Sequence, residues 1–479
     1  MSEAQPETGQ AKYAWWELNR AGLQKRSAVE RVADFLEIYG PYDEETARQQ
    51  ASRCVQCPEP ACVAGCPLGN RIPEWLALTA EGQFLEAAAL LHSTSSLPEI
   101  CARVCPADRK CEEMCLLNGK AEPVSIGAVE QFLNEYAFAH GGTGEDGAPP
   151  NGLRVAVIGS GPGGLTCADL LSRRGYAVTV FDWRATPGGL LVSGTPAFRL
   201  ERAIVERRIA LLEQRGVVFR LGVVLGEDIA YGELRGDFDA IFLGFGARKP
   251  AELDVPGREL HGVTHALDLL VQEEAEAAEG TSRIEVAGKR VVVIGGGDMA
   301  LAAVRMAIRR GATSAVCAYR RDTDSLPCSR REYENALEEG ARFVMQAMPV
   351  GFVGNEQGQV TSVRLARTAM QGLDASGRPG WRLVPGSEFE EPADWVFLAL
   401  GFAPLPLPPG HLFGALERTA DGRIRVDDDL MTSEPGVFAG GDLVRGPSTV
   451  LEVVRDARRA AQGIHRHLLP RLIDVAASA

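Results

Sequence analysis

The sequence predicts a multidomain α+β chain: a helical N-terminal domain, then two α/β domains with parallel sheets, the second inserted into the first. Three observations predict it. Eight of the 11 cysteines lie in two tight groups ending at Cys115. Two strand–turn–helix units carry glycine-rich turns, one starting at Leu153 and one at Lys289. Around these units, buried strand runs alternate with helical patterns, which is the pattern of a parallel sheet. The expected domains are 1–150, helical and ending in a linker; 151–284 and 405–479, the two parts of the first α/β domain; and 285–404, the inserted one.

The helical reading rests on segments such as Ile72 to Leu91, where Trp75, Leu76, Leu78, Phe84, Leu85 and Leu90 recur at helix-like spacing. Gly141 to Gly152, GGTGEDGAPPNG, reads as a linker by composition. The first cysteine group is Cys54, Cys57, Cys62 and Cys66, followed by Pro67. The second is Cys101, Cys105, Cys111 and Cys115, with Pro106 after Cys105. Closely spaced thiolates can wrap a small inorganic core, and Cys-Pro at the end of such a run is a habit of iron–sulfur proteins. Counting gives two Cys₄ sets, enough for two 4Fe–4S clusters and one-electron transfer. Structural zinc also uses Cys₄. Zinc sites, however, usually pair two CxxC knuckles, and only Cys54–Cys57 is one here. Disulfides are disfavoured because MSEAQPETGQ has neither a basic n-region nor an apolar run that would export the chain.

Composition narrows the class further. A hydrophobic fraction of 45% supports sizeable cores. No apolar run approaches the roughly 18 residues of a membrane helix. The formal charge of −14 disfavours nucleic acid as a general partner and suits a cytoplasmic protein.

In the first α/β unit, the run Val155 to Ile158 meets Gly159, Gly161 and Gly164 in the order GxGxxG, and the next strand ends at Asp182. Such glycines let the backbone turn tightly and a pyrophosphate approach a helix N-terminus, while the acid can bond a ribose hydroxyl. This is a dinucleotide site of Rossmann type. In the second unit, Val291 to Ile294 leads into Gly295, Gly297 and Ala300, but its second strand ends at Tyr319-Arg320-Arg321. Guanidinium groups there can bind a 2′-phosphate that a carboxylate would repel, which favours NADPH over NADH. Two segments starting at Asp239 and Asp394 match each other as acid, buried strand and small-residue turn. Near the C-terminus, VFAGGDLVRG delivers Gly441 and Asp442 at a strand end, where a carboxylate can accept a hydrogen bond from a ribityl hydroxyl of FAD.

Taken together these residues resemble the small (β) subunit of NADPH-dependent glutamate synthase, and the similar N-terminal module of dihydropyrimidine dehydrogenase. The resemblance runs from Phe35 to Leu468 through CVQCPEPACVAGCPLGNRIPEW, CARVCPADRKCEEMC, VSIGAVEQF, GGLLVSGTPAFRLER, CAYRRDTDSLPCSRREYENALEEG and FAGGDLVRG, in the family's order. It implies that the cysteine groups interleave. Cys54, Cys57, Cys62 and Cys115 would hold one cluster. Cys66, Cys105 and Cys111 would hold the other with an oxygen of Glu130, or of the neighbouring Gln131, leaving Cys101 free of iron. FAD would lie on Gly159, Gly161 and Gly164, with Asp182 at its ribose, Gly189 and Arg199 beside its pyrophosphate and flavin, and Asp442 near its ribityl chain. NADPH would lie on Gly295, Gly297, Asp298 and Ala300, with Arg320 and Arg321 at its 2′-phosphate.

The implied activity is hydride transfer from NADPH to FAD and release of single electrons through the clusters to a partner, the large subunit of glutamate synthase. No catalytic side chain is assigned. Met299 and Ala302 stand where the family carries threonine and an acid, and Val453 and Ala457 where it carries alanine and glycine. Rival readings are a homologous NAD(P)H-dependent flavoprotein serving ferredoxin or another oxidoreductase subunit, and an electron-wire subunit without nicotinamide turnover. A disulfide reductase is disfavoured because Cys167, Cys317 and Cys328 include no close pair.

Overall fold

The computed structural model describes residues 14–142, 147–271, 284–373, 377, 379–404 and 413–478. The linker segment falls partly outside them, and 147–150 carries no regular structure.

The helical domain packs Glu44–Ser52, Ile72–Ala80, Phe84–Thr94, Pro98–Val104 and Ile126–Ala139 around Trp75, Leu91, Val129 and Leu133, all fully buried. The single apolar pattern from Ile72 to Leu91 is therefore two helices. The break falls at Gly82, whose φ of +80° lies in the left-handed region that ends helices.

Each α/β domain is built on a five-stranded, all-parallel sheet. The first runs Val437–Ala439, Ala240–Leu243, Arg154–Ile158, Ala177–Asp182, Val218–Leu221. The second runs Val263–His265, Trp395–Leu398, Arg290–Ile294, Ser314–Tyr319, Arg342–Met345. Four strands correspond in the two orders; the edge strand differs, coming last in sequence in the first domain (Val437–Ala439) and first in the second (Val263–His265). Asp239 and Asp394 hold equivalent places, each accepting from the backbone N–H of the first strand's first residue, Arg154 or Arg290, at 2.8 Å. Their strands are buried because both sheet faces are covered; in the second sheet helices cover one face and an antiparallel meander of the same domain the other.

The chain crosses between these domains through a short antiparallel ribbon, Lys249–Pro250 against Phe402–Ala403. This corrects the expected boundary at 284/285. Val263–His265 pairs with Trp395–Leu398 and belongs to the inserted domain, so the insertion begins just after Pro250. The inserted domain also carries an unanticipated antiparallel meander, Ala347–Gly354, Val360–Leu373 and Pro379–Pro392.

The helical domain is fastened to the first α/β domain by Glu99 and Arg208, a bidentate pair at 2.7 and 2.7 Å with both side chains fully buried. Arg458, on the long C-terminal helix Val450–Ser478, donates to Leu68 O and Thr94 O. An N-terminal arm reaches the inserted domain instead. Its buried Arg31 bonds Asn335 and Glu338, and Tyr39 also donates to Asn335.

Candidate active site and cysteine centres

The first glycine turn is shaped by what its neighbours leave open. A Cβ on Gly164 would stand 1.8 Å from Gly159 O, and one on Gly159, where φ is +99°, would stand 2.8 Å from Gly244 O. A Cβ on Gly161 would meet nothing within 4 Å. Gly161 thus faces open space at the N-terminus of Pro162–Ser172, where free N–H groups await an anion. That space is a cleft of about 510 Å³, lined by Gly159, Gly161, Asp182, Gly189, Arg199, Gly441 and Asp442 from the first domain and by Asp298, Met299 and Ala302 from the inserted one. A cradle that only glycine can line, opening on a large cleft, fits a dinucleotide such as FAD.

Within the cleft, Asp182 Oδ2 accepts from the Ser160 N–H at 2.7 Å and its hydroxyl at 2.6 Å, and Ser160 Oγ accepts from Gly188 N–H at 3.1 Å. Ser160 therefore locks the acid, the first turn and the Gly188–Gly189 turn together. Sequence reasoning missed it because it reads only as a spacer in GxGxxG. Trp183 and Arg248 were missed as well. They stack at 4.0 Å beside Asp182 and make a flat, cationic face at the cleft. Half-buried Asp442 accepts from Ser448 N–H and hydroxyl, each at 3.2 Å, and burial pushes its carboxyl up to about 6. Val453 fits against the glycines, 3.3 and 3.1 Å from where Cβ atoms on Gly163 and Gly441 would stand.

Arg199 joins three domains. Its Nη2 donates to Val104 O at 3.1 Å, in the helical domain, and to Asp298 Oδ2 at 3.3 Å, in the inserted one. In the second glycine turn, a Cβ on Gly295 would stand 2.4 Å from Ala399 O, whereas Gly297 faces only Pro327 at 3.9 Å. The two arginines expected at a 2′-phosphate separate. Arg320 is exposed and lies over the Trp381 ring at 5.4 Å. Arg321 is buried and its Nε donates to Pro379 O at 2.6 Å, which ties it to the meander.

The eight clustered cysteines surround two small cavities. Cys54, Cys57, Cys62 and Cys115 line the first, in otherwise apolar surroundings with Leu76, Val124 and Ile126. Cys66, Cys101, Cys105, Cys111 and Glu130 line the second. The count of one Cys₄ set per sequence group therefore does not match the space. Cys66 and Cys115 change places, because the loop after Cys105 folds back over the first group. Burial pushes the Cys54 thiol up to about 11 and Cys62 to about 12, and it raises Cys101, Cys105 and Cys111 strongly. Burial also pushes Glu130 up to about 8, helped by the charges of Glu99 and Glu112. Soft sulfur donors around an enclosed, largely apolar space suit an iron–sulfur cluster, whose binding displaces the thiol protons. Glu112, next to Cys111, accepts from Gly127 N–H at 3.0 Å and so caps the helix that carries Glu130.

The second cavity abuts the cleft. Val104 lines the cleft while the next residue, Cys105, lines the cavity, and Leu451 lines the cavity between Val450 and Val453 of the cleft. The first cavity shares Ile126 with the second.

A cysteine-lined helical domain built against a pair of dinucleotide folds defines an iron–sulfur oxidoreductase that works with a pyridine nucleotide. Two family profiles divide the chain in the same way: dihydropyrimidine dehydrogenase domain II, 4Fe-4S cluster, over residues 31–142, and pyridine nucleotide-disulphide oxidoreductase over residues 153–461. The glutamate synthase (NADPH) small chain of Halomonas elongata is 42% identical over 461 residues, covering 94% of this chain and 97% of that protein. That of Azospirillum brasilense is 44% identical over 454 residues, covering 92% and 93%. The chain belongs to the glutamate synthase small-subunit family. Among solved structures, Mycobacterium tuberculosis FprA in complex with NADPH matches with a TM-score of 0.57 at 21% identity, covering 69% of this chain and 86% of that one, a likeness of fold. No helix among the described residues is long and apolar enough to cross a membrane.

Proposed function

We propose that this chain is the NADPH-oxidising, electron-input subunit of a glutamate synthase. FAD binds in the cleft, NADPH on the Gly295–Ala300 turn, and two 4Fe–4S clusters in the cysteine cavities. Electrons leave for a large subunit that forms glutamate. When bound, NADPH supplies a hydride, FAD converts a two-electron donor into single electrons, and the clusters carry them.

The observation that carries this reading is contiguity. Asp298, Met299 and Ala302 of the second glycine turn border the cleft, the cleft borders the Cys66–Cys105–Cys111 cavity, and that cavity borders the Cys54–Cys57–Cys62–Cys115 cavity. The chain's own groups position and shield. Gly161 and the Pro162–Ser172 N-terminus accept the pyrophosphate, Asp182 and Asp442 take hydroxyl donors, and Arg199 ties the domains at the point where they meet. Exposed Arg320, with Arg321 beside it, is the candidate for a 2′-phosphate.

Anaerobic isolation from the host tests the whole reading. One FAD, and iron and sulfide approaching about eight each per chain, are expected for two 4Fe–4S centres, with flavin bleaching by NADPH and a co-purifying large subunit that makes glutamate from glutamine. Zinc in place of iron would overturn the cluster assignment. Rapid bleaching with no glutamate formed by any large subunit would overturn the choice of acceptor.

A further inference from the structure

Asp108 lies on the short 3₁₀ turn Ala107–Arg109, between Cys105 and Cys111. It is not part of the cleft, yet both its oxygens reach the inserted domain. Oδ2 accepts from the Arg330 N–H at 2.7 Å and Oδ1 from the Ser329 hydroxyl at 3.0 Å. Arg330 opens the helix Arg330–Glu338, and the N-cap residue Ser329 makes no side-chain cap of its own. An acid from the cysteine loop therefore caps a helix in another domain, where an orphan N–H and the positive helix end both favour a carboxylate.

That helix is tied to the dinucleotide turn by buried ion pairs. Arg305 and Arg309, on the helix that starts at Asp298, pair with Glu332 at 2.5 Å and with Glu339 at 2.8 and 2.6 Å, and these groups are almost wholly buried. Just before the helix, Pro327 is the group nearest the open side of Gly297. Wherever Asp108 holds Ser329 and Arg330, it fixes the second glycine turn against the helical domain, and hence against the flavin cleft.

We propose that Asp108 is a positioning residue for hydride delivery: by capping Arg330–Glu338 in trans, it sets the nucleotide domain in register with the flavin cleft. The proposal rests on the reading that a nicotinamide nucleotide binds the Gly295–Ala300 turn.

Three variants test it. Asp108→Ala removes both acceptors. Asp108→Asn keeps one and provides a control for charge. Arg330→Pro removes the N–H donor, together with the Arg330 side chain, which makes no bond to Asp108, and leaves the cysteine loop untouched. Proline is favoured at a first helical position, and Ser329 already has the extended backbone (φ −60°, ψ 140°) that a residue before proline requires. At saturating NADPH without oxygen, flavin reduction should slow about tenfold or more in Asp108→Ala and Arg330→Pro, as a small misplacement of reacting groups does. Iron per FAD and the NADPH dissociation constant should stay at wild-type values, and Asp108→Asn should stay within about threefold of wild type. Amides of 331–338 should exchange with deuterium about tenfold faster in the two broken variants. Wild-type reduction rates in both would overturn the proposal. So would iron loss in Asp108→Ala with Arg330→Pro unchanged, since Asp108 would then serve the cysteine loop. If the unmodified protein is not reduced by NADPH, the functional reading fails by itself, and the exchange comparison alone decides whether Asp108 holds the domain.

Discussion

Gly161 and Gly164 share one turn and tolerate opposite changes. The Cβ of Gly164→Ala would sit 1.8 Å from a backbone oxygen, so the turn must open, and a loss of more than about 3 kcal/mol in chemical denaturation is expected. Gly161→Ala meets nothing, so its melting temperature should match wild type while FAD retention after gel filtration falls sharply. Asp442 gives a pH dependence. Its carboxyl rises from 3.8 to about 6 in the folded apoprotein because burial penalises the charge. The folded chain then holds a proton that the unfolded chain releases, so this group's stabilising contribution is complete below about pH 4 and is lost as pH rises through about 6. Calorimetry of the apoprotein should show that decline, and Asp442→Asn should remove it. A ligand hydroxyl donating to the carboxylate favours the charged form, so FAD affinity, read by flavin fluorescence, should rise over the same range. At this scale Gly159 and Gly164 stood out because a side chain at either would strike backbone. The bond from Arg321 to Pro379 O did not, because an arginine at a strand end reads the same whatever carbonyl it meets.

The elements that bear chemistry were read most easily where the chain is short and local. Both strand–glycine–helix units stand where their sequence put them, because each is fixed by contacts within a few residues. The meander went unread because Pro379–Pro392 and the end of Val360–Leu373 are largely exposed, and the buried residues before them alternate only irregularly. The cysteine loops divided the two ways. Spacing within a group was plain, but the exchange of Cys66 and Cys115 depends on a fold-back that local spacing cannot show. Cys115→Ser should therefore cost the cluster bounded by Cys54, Cys57 and Cys62. Cys101→Ser should keep full iron, with Glu130 as the fourth donor. Iron per FAD and the reduced-state EPR spectrum decide, and loss of iron in Cys101→Ser would make that cysteine the ligand.

Across the whole molecule, the domain count was legible from two repeats of one motif, but the crossing point was not. Lys249–Pro250 and Phe402–Ala403 are too short to register as strands, so the insertion was expected to start later than it does. The inter-domain ties were hidden too, since arginines and glutamates far apart in sequence look like ordinary surface charge. Arg208→Ala would leave Glu99 buried without its partner, a loss of about 3–5 kcal/mol. Calorimetry should then show the helical domain melting ahead of the rest of the chain, against a single transition expected for the unmodified protein. A single transition at the wild-type temperature would mean that the pair contributes little to holding the domains together.

The exchange of Cys66 and Cys115 also governs the order of biogenesis. A nascent chain presents Cys54, Cys57 and Cys62 to the cell long before their fourth sulfur, Cys115, has been made. By then Cys66 has been waiting for Cys105 and Cys111, and the helix bearing Glu130 is still to come. Neither cavity can close on a partial chain: the first waits for Cys115, the second for Glu130 and finally Leu451. Iron offered early would meet three thiols and an open side, so on the two-cluster reading insertion follows synthesis of Ile126–Ala139.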